Sequence, residues 1–300
     1  TYSIDAAVYS LNYDTVARAL ISAKNRGIKV RFVYRNTANG DSFQSAVQKI
    51  KNNGIQVVQR NKPNDLMHNK FFIFDARDSA QQNPIVWTGS FNVTDTQQET
   101  DFNNAIEVFH RPLALAYTVE FEKMWGSSND NPDTANSKFG TSKTKSPITS
   151  FVINGTQVQL SFSPKDTTNT KIGRVLSTAT SNISFSLLSF TRQELVDSMK
   201  KRNQLFNVPV RGIMEQADVP AVFDSLSTFA QMFKHNNSGL FHHKYSIIDE
   251  GISNGTVITG SHNWSLTANS SNDENILIIH NDTIANLYKQ EFEQRLKEVG

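Results

Sequence analysis

A short motif occurs once in each half of this 300-residue chain. In each copy a histidine is followed two positions later by a lysine, and an aspartate stands five residues after the lysine. A Gly-Ser-x-Asn sequence then follows. The first copy consists of His68, Lys70, Asp75 and Gly89-Ser90-Phe91-Asn92, and the second of His242, Lys244, Asp249 and Gly260-Ser261-His262-Asn263. Two such copies, each on an apolar strand-like run, indicate an internal duplication. The repeat predicts two half-sites that meet in one site.

Strands and helices alternate in the same order in both halves. In the first half a predicted strand at residues 6–11 precedes a helix at 14–27 and a strand at 28–34. The second half repeats this order with a strand at 183–188 and a helix at 193–202. Such alternation is typical of α/β layers. We therefore expect an α/β fold with two pseudo-twofold-related lobes, mixed β-sheets flanked by helices, and the active site at the seam.

The predicted lobes are not of equal length. We expect the first lobe at residues 1–126, a polar solvated linker at 127–149 and the second lobe at 150–300, because the linker is rich in Ser, Asn, Asp, Thr and Lys. The second half also has a predicted strand at 158–162 and a helix at 170–179 that lack counterparts in the first. The first lobe is thus expected to lack its first strand and helix, which either belong to a longer precursor or were never part of this half.

Composition excludes several classes of protein. A formal net charge of +2 argues against an extensive basic surface for nucleic acid, but it leaves room for a local basic cleft. The chain has no cysteine and hence no disulfide framework or cysteine-ligated zinc. The sequence has no run of eighteen apolar residues, so it predicts no transmembrane helix. The start at Thr1 fits a cleaved leader or a trimmed sequence, and we expect an exported bacterial protein, periplasmic or secreted, in preference to a cytoplasmic one.

The motif side chains are suited to an anionic substrate. Because side chains alternate along a strand, His68 and Lys70 point to the same face, as do their counterparts in the second copy. The lysine supplies positive charge for an anionic oxygen, and the histidine supplies a nucleophile or an acid near neutral pH. Asp75 and Asp249 have the opposite parity. We expect them to anchor a strand end or to pair across the halves.

The residues of the Gly-Ser-x-Asn turns complete the predicted site. The hydroxyl groups of Ser90 and Ser261 can donate a hydrogen bond to a phosphate oxygen or to a neighbouring side chain. The amides of Asn92 and Asn263 can donate to the same anion. These four residues are therefore the predicted phosphate-binding groups.

The repeated HxK(x)4D spacing followed by GSxN resembles the phospholipase D superfamily over nearly the whole chain, most closely in the second copy and its tail at 272–279. The resemblance implies a phosphodiesterase that needs no metal or other cofactor, and one chain with both half-sites implies that a monomer is sufficient. One histidine would attack phosphorus to form a phosphohistidine, and the other would protonate the leaving oxygen. The two lysines and two asparagines would hold the non-bridging oxygens. Because Asp75 and Asp249 belong to the HxK(x)4D motif, the resemblance also implies that they belong to the catalytic set.

The sequence departs from the family pattern at one position. Members of the family usually have a carboxylate after each GSxN that orients a histidine. Glu274 holds this position in the second copy, whereas the equivalent residue of the first copy is Asn103. A carboxylate raises the pKa of a neighbouring histidine, so we expect His242, backed by Glu274, to be the general acid and His68, supported by Asn103, to be the neutral nucleophile. The roles could also be reversed, and two other carboxylates near the first copy could serve His68: Glu99 and Glu107.

The class of phosphodiester follows from the surroundings of the motifs. A nuclease needs basic residues around its cleft, and the candidates are Arg35, Arg60, Lys62 and Lys234. A phospholipase needs apolar loops that meet a bilayer, but the loops at 61–65 and 235–239 are polar. We expect an endonuclease-like hydrolase, with nucleic acid a more favoured substrate than phospholipid. The alternatives are a phospholipase D that hydrolyses or transphosphatidylates phospholipids, and a catalytically idle nucleic-acid-binding relative.

Overall fold

A computed structural model describes residues 2–35, 44–60, 65–80, 83–215, 221–251 and 253–300. Within these ranges the chain forms two mixed β-sheets with helices on their faces. The predicted α/β class and two-lobed architecture are therefore confirmed.

The first sheet contains six strands: β1 (Ser3–Val8), β2 (Lys29–Tyr34), β3 (Gln56–Gln59), β4 (Lys70–Phe74), β5 (Ile85–Gly89) and β6 (Ala105–Phe109). Their order is β3-β2-β1-β4-β5-β6. The strands from β1 to β3 are parallel, and β4, β5 and β6 are added antiparallel. The helices of this lobe are α1 (Asp14–Asn25), α2 (Gln44–Asn52), α3 (Asp95–Glu99) and α4 (Arg111–Trp125).

The second sheet contains eight strands: β7 (Ser150–Ile153), β8 (Thr156–Ser163), β9 (Ile183–Leu187), β10 (Val210–Glu215), β11 (Gln231–His235), β12 (Lys244–Ile248), β13 (Thr256–Gly260) and β14 (Glu274–His280). Their order is β11-β10-β9-β12-β13-β14-β8-β7, so six of them repeat the first sheet. The helices are α5 (Thr168–Leu176), α6 (Gln193–Phe206), α7 (Ala221–Ser227), α8 (Leu266–Ser270) and α9 (Asp282–Val299). In the part of the chain that the structure describes, β7, β8 and α5 have no counterpart in the first lobe.

The two long helices α4 and α9 begin at equivalent caps. The side chain of His110 accepts a hydrogen bond from the N–H of Leu113, and the side chain of Asn281 accepts one from the N–H of Ile284. Such caps satisfy N–H groups that a helix leaves unpaired in its first turn. Helix α4 packs between the sheets, because its Phe121 shares one apolar core with residues of both sheets. The core thus holds the two lobes face to face.

The segment between the lobes differs from the expected linker. The division at 1–126, 127–149 and 150–300 stays a prediction, but the segment is not solvated throughout. Lys143 is buried between the carboxylates of Glu120 and Asp273, and the N–H of Gly140 donates to Asp273 at 2.7 Å. The prediction of a solvated linker is wrong for these residues because two buried carboxylates from both lobes require a cation there.

Candidate active site

The two motif copies meet at the centre of the molecule. Strands β4 and β12 each begin at the motif lysine and lie beside β1 and β9, in the middle of their sheets. His68, Lys70, His242 and Lys244 are all buried. Each copy also crosses to the other lobe, because the N–H of His68 donates to the carbonyl of Asp273 at 2.9 Å and that of His242 to the carbonyl of Phe102 at 2.7 Å. The predicted single site at the seam is therefore present.

Glu274 contacts the histidine of the first copy and not that of its own. Its Oε2 lies 2.8 Å from Nδ1 of His68. Ser261 Oγ donates to the same oxygen at 2.8 Å, and Asn272 Nδ2 donates to Oε1 at 3.2 Å. The expectation that Glu274 backs His242 is wrong. The crossing of the main chain at Asp273 carries the next residue, Glu274, to the opposite half-site.

Within the described ranges, His242 has no carboxylate placed as Glu274 is at His68. Asn103, at the position equivalent to Glu274, donates its Nδ2 to the carbonyls of Gln97 at 2.7 Å and Asp101 at 3.1 Å, so it braces its own loop and not His68 as predicted. The other two candidates, Glu99 and Glu107, are exposed. Among the residues that the structure describes, Nδ1 of His242 is buried without a hydrogen-bond partner.

The histidines of both motif copies favour the neutral form. Burial lowers the pKa of His68 to about 4, although Glu274 acts to raise it and the charge of Lys70 lowers it further. Burial and the charges of Lys244 and Lys70 hold the pKa of His242 well below its usual value. His68 carries its proton on Nδ1 when Glu274 accepts from that atom, which leaves the lone pair of Nε2 available.

The two lysines lie close together in the buried pocket, where each disfavours the charge of the other. Lys70 Nζ donates to the carbonyl of His68 at 2.9 Å, and Lys244 Nζ lies 3.0 Å from the carbonyl and 3.1 Å from Nε2 of His242. Burial lowers the pKa of Lys70 to about 7, and burial together with the charge of Lys70 lowers that of Lys244 well below its usual value. Among the described residues, Glu274 is the carboxylate that acts to raise the pKa values of His68, Lys70 and Lys244. A bound anion would raise the pKa values of both lysines and both histidines.

The serines of the two turns support the site from behind. Ser261 donates to Glu274 and accepts from the N–H of Asn275 at 3.0 Å. Ser90 donates to Asn104 Oδ1 at 3.2 Å and accepts from the N–H of Asn104 at 3.0 Å. Both hydroxyls are fully buried and already paired, so the structure gives them a supporting role in place of the predicted phosphate contact.

The asparagines of the turns remain candidates for phosphate binding. Their Nδ2 groups are the donors that an anion would need, whereas the amide oxygens of Asn92 and Asn263 are buried without partners within the described ranges. The preceding glycines are required by the backbone. A Cβ on Gly89 would lie 2.1 Å from the carbonyl oxygen of Asn104, and one on Gly260, at φ +149°, would lie 2.2 Å from that of Asn275. Only glycine therefore lets the turns approach the strands that carry the supporting residues.

The motif aspartates anchor strand ends. Both have left-handed backbone conformations, with φ of 63° at Asp75 and 58° at Asp249. Asp249 accepts from the N–H groups of Thr180 at 2.8 Å and Ser181 at 2.6 Å, just before β9. Asp75 accepts from the N–H of Ser3 at 3.1 Å, at the start of β1. Anchoring of a strand end, one of the two predicted roles, is confirmed in each lobe. The place of the two aspartates in the catalytic set stays a prediction.

One wall of the pocket contains a residue that the sequence did not single out. The Tyr9 ring lies edge-on to the His68 ring, with centroids 4.7 Å apart, and Arg35 Cζ lies 4.7 Å from the Tyr9 centroid. The signal for Tyr9 was its position directly after β1, at the same sheet edge as the motif histidine. Arg35 was among the predicted cleft residues, and its place beside the pocket is confirmed.

Two of the other predicted basic residues, Arg60 and Lys234, make their contacts away from this pocket. Arg60 is buried, and its Nη1 donates to Asp273 Oδ2 at 2.8 Å, so its prediction as a cleft residue is wrong. Lys234 lies over the Phe223 ring at 4.7 Å. Lys62 and the loop residues 61–64 lie outside the described residues. Arg60 neutralises Asp273, the residue that precedes Glu274 in the sequence.

The described residues contain no group of three or more His, Asp or Glu side chains placed to hold a metal ion. None of their helices is both long and apolar enough to span a bilayer.

Comparisons with known proteins agree with this geometry. The chain is 44% identical over 123 residues to the mitochondrial cardiolipin hydrolase of Xenopus tropicalis, which is 41% of this chain and 54% of that protein. It thus spans about half the length of this curated relative. Its fold is similar to that of a polyphosphate kinase from Porphyromonas gingivalis, with a TM-score of 0.68 and 13% identity over 98% of this chain and 46% of the other. A phosphatidylserine synthase from Haemophilus influenzae gives 0.63 and 13% over 98% and 80%.

A family model described as the PLD-like domain of cardiolipin synthase matches residues 1–125 and 172–296. The match includes both motif copies and the strands that bring them together. This chain therefore belongs to the phospholipase D-like family.

Proposed function

We propose that this protein is a phosphodiesterase that needs no metal ion, works through a phosphohistidine on His68 and cleaves nucleic acid. The observation that carries the proposal is the contact of Glu274 with Nδ1 of His68 at 2.8 Å inside a pocket with two lysines. A carboxylate at Nδ1 orients the ring and stabilises the positive charge that the ring gains when Nε2 attacks.

In the first step, Nε2 of His68 attacks phosphorus and the bond from phosphorus to the leaving oxygen breaks. His242 gives a proton to that oxygen, so the leaving group departs as an alcohol. The bound anion raises the lowered pKa of His242, and Lys244 Nζ at 3.1 Å from its Nε2 shares a proton with it. Lys70 and Lys244 neutralise the non-bridging oxygens as charge develops.

In the second step, water attacks the phosphohistidine. His242, now neutral, takes a proton from the water, and the bond between phosphorus and Nε2 of His68 breaks. The product is a phosphomonoester, and both histidines return to their starting states. His68 is thus the nucleophile as the sequence predicted, but for a different reason, since it has the carboxylate and His242 lacks one.

Nucleic acid is supported by the polar surroundings of the cleft. The residues at 236–238 in the loop before the second motif are exposed and polar. Tyr9 adds an aromatic ring next to His68, and Arg35 adds a cation next to that ring. Rings and cations together suit a polyanion with aromatic bases better than they suit acyl chains.

A second candidate is hydrolysis of a diphosphatidyl lipid. It is favoured by the relatives named mitochondrial cardiolipin hydrolase, of which one is 44% identical over 123 residues. The exposed Leu240, before the second motif, gives this candidate an apolar side chain near the cleft.

Both candidates are tested in one assay. The protein is incubated in EDTA with single- and double-stranded DNA, RNA and cardiolipin vesicles, beside His68→Ala and His242→Ala variants. We expect nucleic-acid cleavage that both variants abolish. Because a phosphohistidine is labile in acid and stable in base, a base quench followed by mapping at alkaline pH should place the phosphoryl label on His68. Label on His242 would reverse the two roles. Cleavage of cardiolipin alone would establish the second candidate, and activity restored only by added metal would contradict the mechanism.

A further inference from the structure

The pocket wall formed by Tyr9 and Arg35 takes no part in the two steps above. Lys70 Nζ and Arg35 Cζ both lie close to the Tyr9 ring, at 5.0 and 4.7 Å from its centroid. Arg35 Nη1 also donates to Tyr9 Oη at 3.3 Å. Tyr9 and Arg35 are half-buried, whereas Lys70 and His68 are buried. The pair therefore stands between the reacting pocket and the surface.

The second lobe does not repeat this wall. The N–H groups of Tyr9 and Leu188 each donate to the residue before a motif lysine, so these two positions are equivalent. Arg35 follows the β2 residue that pairs with the last residue of β1, and Glu215 has the same place relative to β9. The lobes thus offer a tyrosine and a cation on one side, and a leucine and a carboxylic acid on the other. The two sides of the cleft therefore differ in charge. Recognition of a single phosphate group would not require such a difference.

This difference in charge has a chemical consequence for the substrate. A guanidinium group matches phosphate oxygens with its planar set of donors, and it stays charged at all relevant pH values. The Tyr9 ring separates Arg35 from Lys70, so the two cations bind one anion each. Glu215 is buried and accepts from the N–H of Phe241 at 2.6 Å, so the opposite side has a carboxylate where the first lobe has the cation.

We infer that Tyr9 and Arg35 form a second anion subsite, which holds the phosphate next to the one being cleaved in a nucleic-acid strand. This inference rests on the proposed function and adds to it a substrate with two neighbouring phosphates and a fixed direction across the seam. The phosphate on the first-lobe side of the scissile group binds Arg35. The group on the second-lobe side meets Leu188 and Glu215 and carries no phosphate contact there.

The subsite is tested by equilibrium binding of phosphomonoesters, which the enzyme does not cleave. The ligands are thymidine 5′-phosphate and thymidine 3′,5′-bisphosphate, with glycerol 1-phosphate and glycerol 1,3-bisphosphate as lipid-type counterparts. Titration calorimetry at constant ionic strength gives the gain in affinity from the second phosphate. For the wild-type protein we expect a gain of about 10- to 100-fold with the nucleotides, as for hydrogen bonds to a charged group.

Three variants report on the wall. Arg35→Gln should lose most of this gain, and Tyr9→Leu, which copies Leu188, should also reduce it because Arg35 loses its support. Tyr9→Phe keeps the ring under the guanidinium and should retain the larger part of the gain. This variant replaces Tyr9→Leu in the test if Tyr9→Leu does not fold. The matched control is Lys51→Gln, which removes one exposed cation of the first lobe from helix α2 and should keep the full gain. Circular dichroism checks that each variant is folded.

An equal gain in Arg35→Gln and wild type, or no gain in the wild type, overturns the subsite. A gain that depends on Arg35 with glycerol bisphosphate but not with the thymidine bisphosphate overturns its assignment to nucleic acid in favour of a diphosphatidyl lipid. The binding is measured without turnover, so failure of nucleic-acid cleavage in the earlier assay would remove the proposed function and leave this result readable.

Discussion

Lys143→Met tests whether the buried ion cluster holds the two lobes together. The cluster contains Arg60, Glu120, Lys143 and Asp273, whose side chains are each no more than 1% exposed. Two cations and two carboxylates balance in charge. Burial acts to lower the pKa of Lys143, but Asp273 and Glu120 together outweigh it and raise the value, so the lysine stays charged.

Methionine keeps much of the apolar stem of Lys143 and removes its charge. Breaking a buried pair by removing one partner costs about 3–5 kcal/mol, because the other partner stays buried without compensation. Asp273 still has Arg60 at 2.8 Å, and Glu120 still has Lys123 at 2.9 Å. We therefore expect the lower end, a loss of about 3 kcal/mol in the free energy of unfolding.

The assay is urea unfolding followed by tryptophan fluorescence, with the slope m compared between proteins. The double variant Lys143→Met with Glu120→Gln removes one cation and one anion, and a cycle of the four proteins should show a coupling of about 1–3 kcal/mol. The control is Lys49→Met, whose exposed pair with Asp14 should matter little. If Lys143→Met destabilises the protein no more than Lys49→Met does, the cluster does not hold the lobes.

Three other predictions follow from the site. Glu274→Gln should lower kcat by roughly 100-fold or more and move the acid limb of the kcat/KM profile to lower pH, because Glu274 raises the pKa of His68. An upward shift of that limb, or an equal loss of kcat in the exposed control Glu107→Gln, would contradict the role of Glu274 as the partner of His68. Phosphate binding at pH 7.5 should take up protons, because an anion raises the lowered pKa values of Lys70 and Lys244; calorimetric heats that do not depend on the buffer would refute this. As the pH is lowered from 6.5 to 4, the free energy of unfolding should fall by roughly 1.4 kcal/mol per pH unit for each buried histidine such as His68, since the unfolded state binds protons that the folded state excludes. Urea titrations with equal midpoints at pH 7 and pH 5 would disprove this prediction.

The sequence was sufficient for everything that depends on local spacing. The offset of two between His68 and Lys70 puts both on one strand face, and the duplicated order of strands and helices predicts two similar lobes. The opposite parity of Asp75 was enough to predict that it either anchors a strand end or pairs across the halves, and the first of these is what the structure shows. These features follow from the periodicity of a strand, which a sequence displays directly.

The partner of each histidine was decided only by the tertiary structure. Glu274 follows the second motif in sequence, but the hydrogen bond between His68 N and the carbonyl of Asp273 leads it to the first histidine, 206 residues away. The same crossing buries Asp273, whose charge is neutralised by Arg60 and Lys143. In the sequence Arg60 is only a basic residue, and Lys143 is only part of a polar linker. Local spacing carries no information on which segments pair across a seam, whereas the cost of an unpaired buried charge selects one arrangement once the lobes are packed.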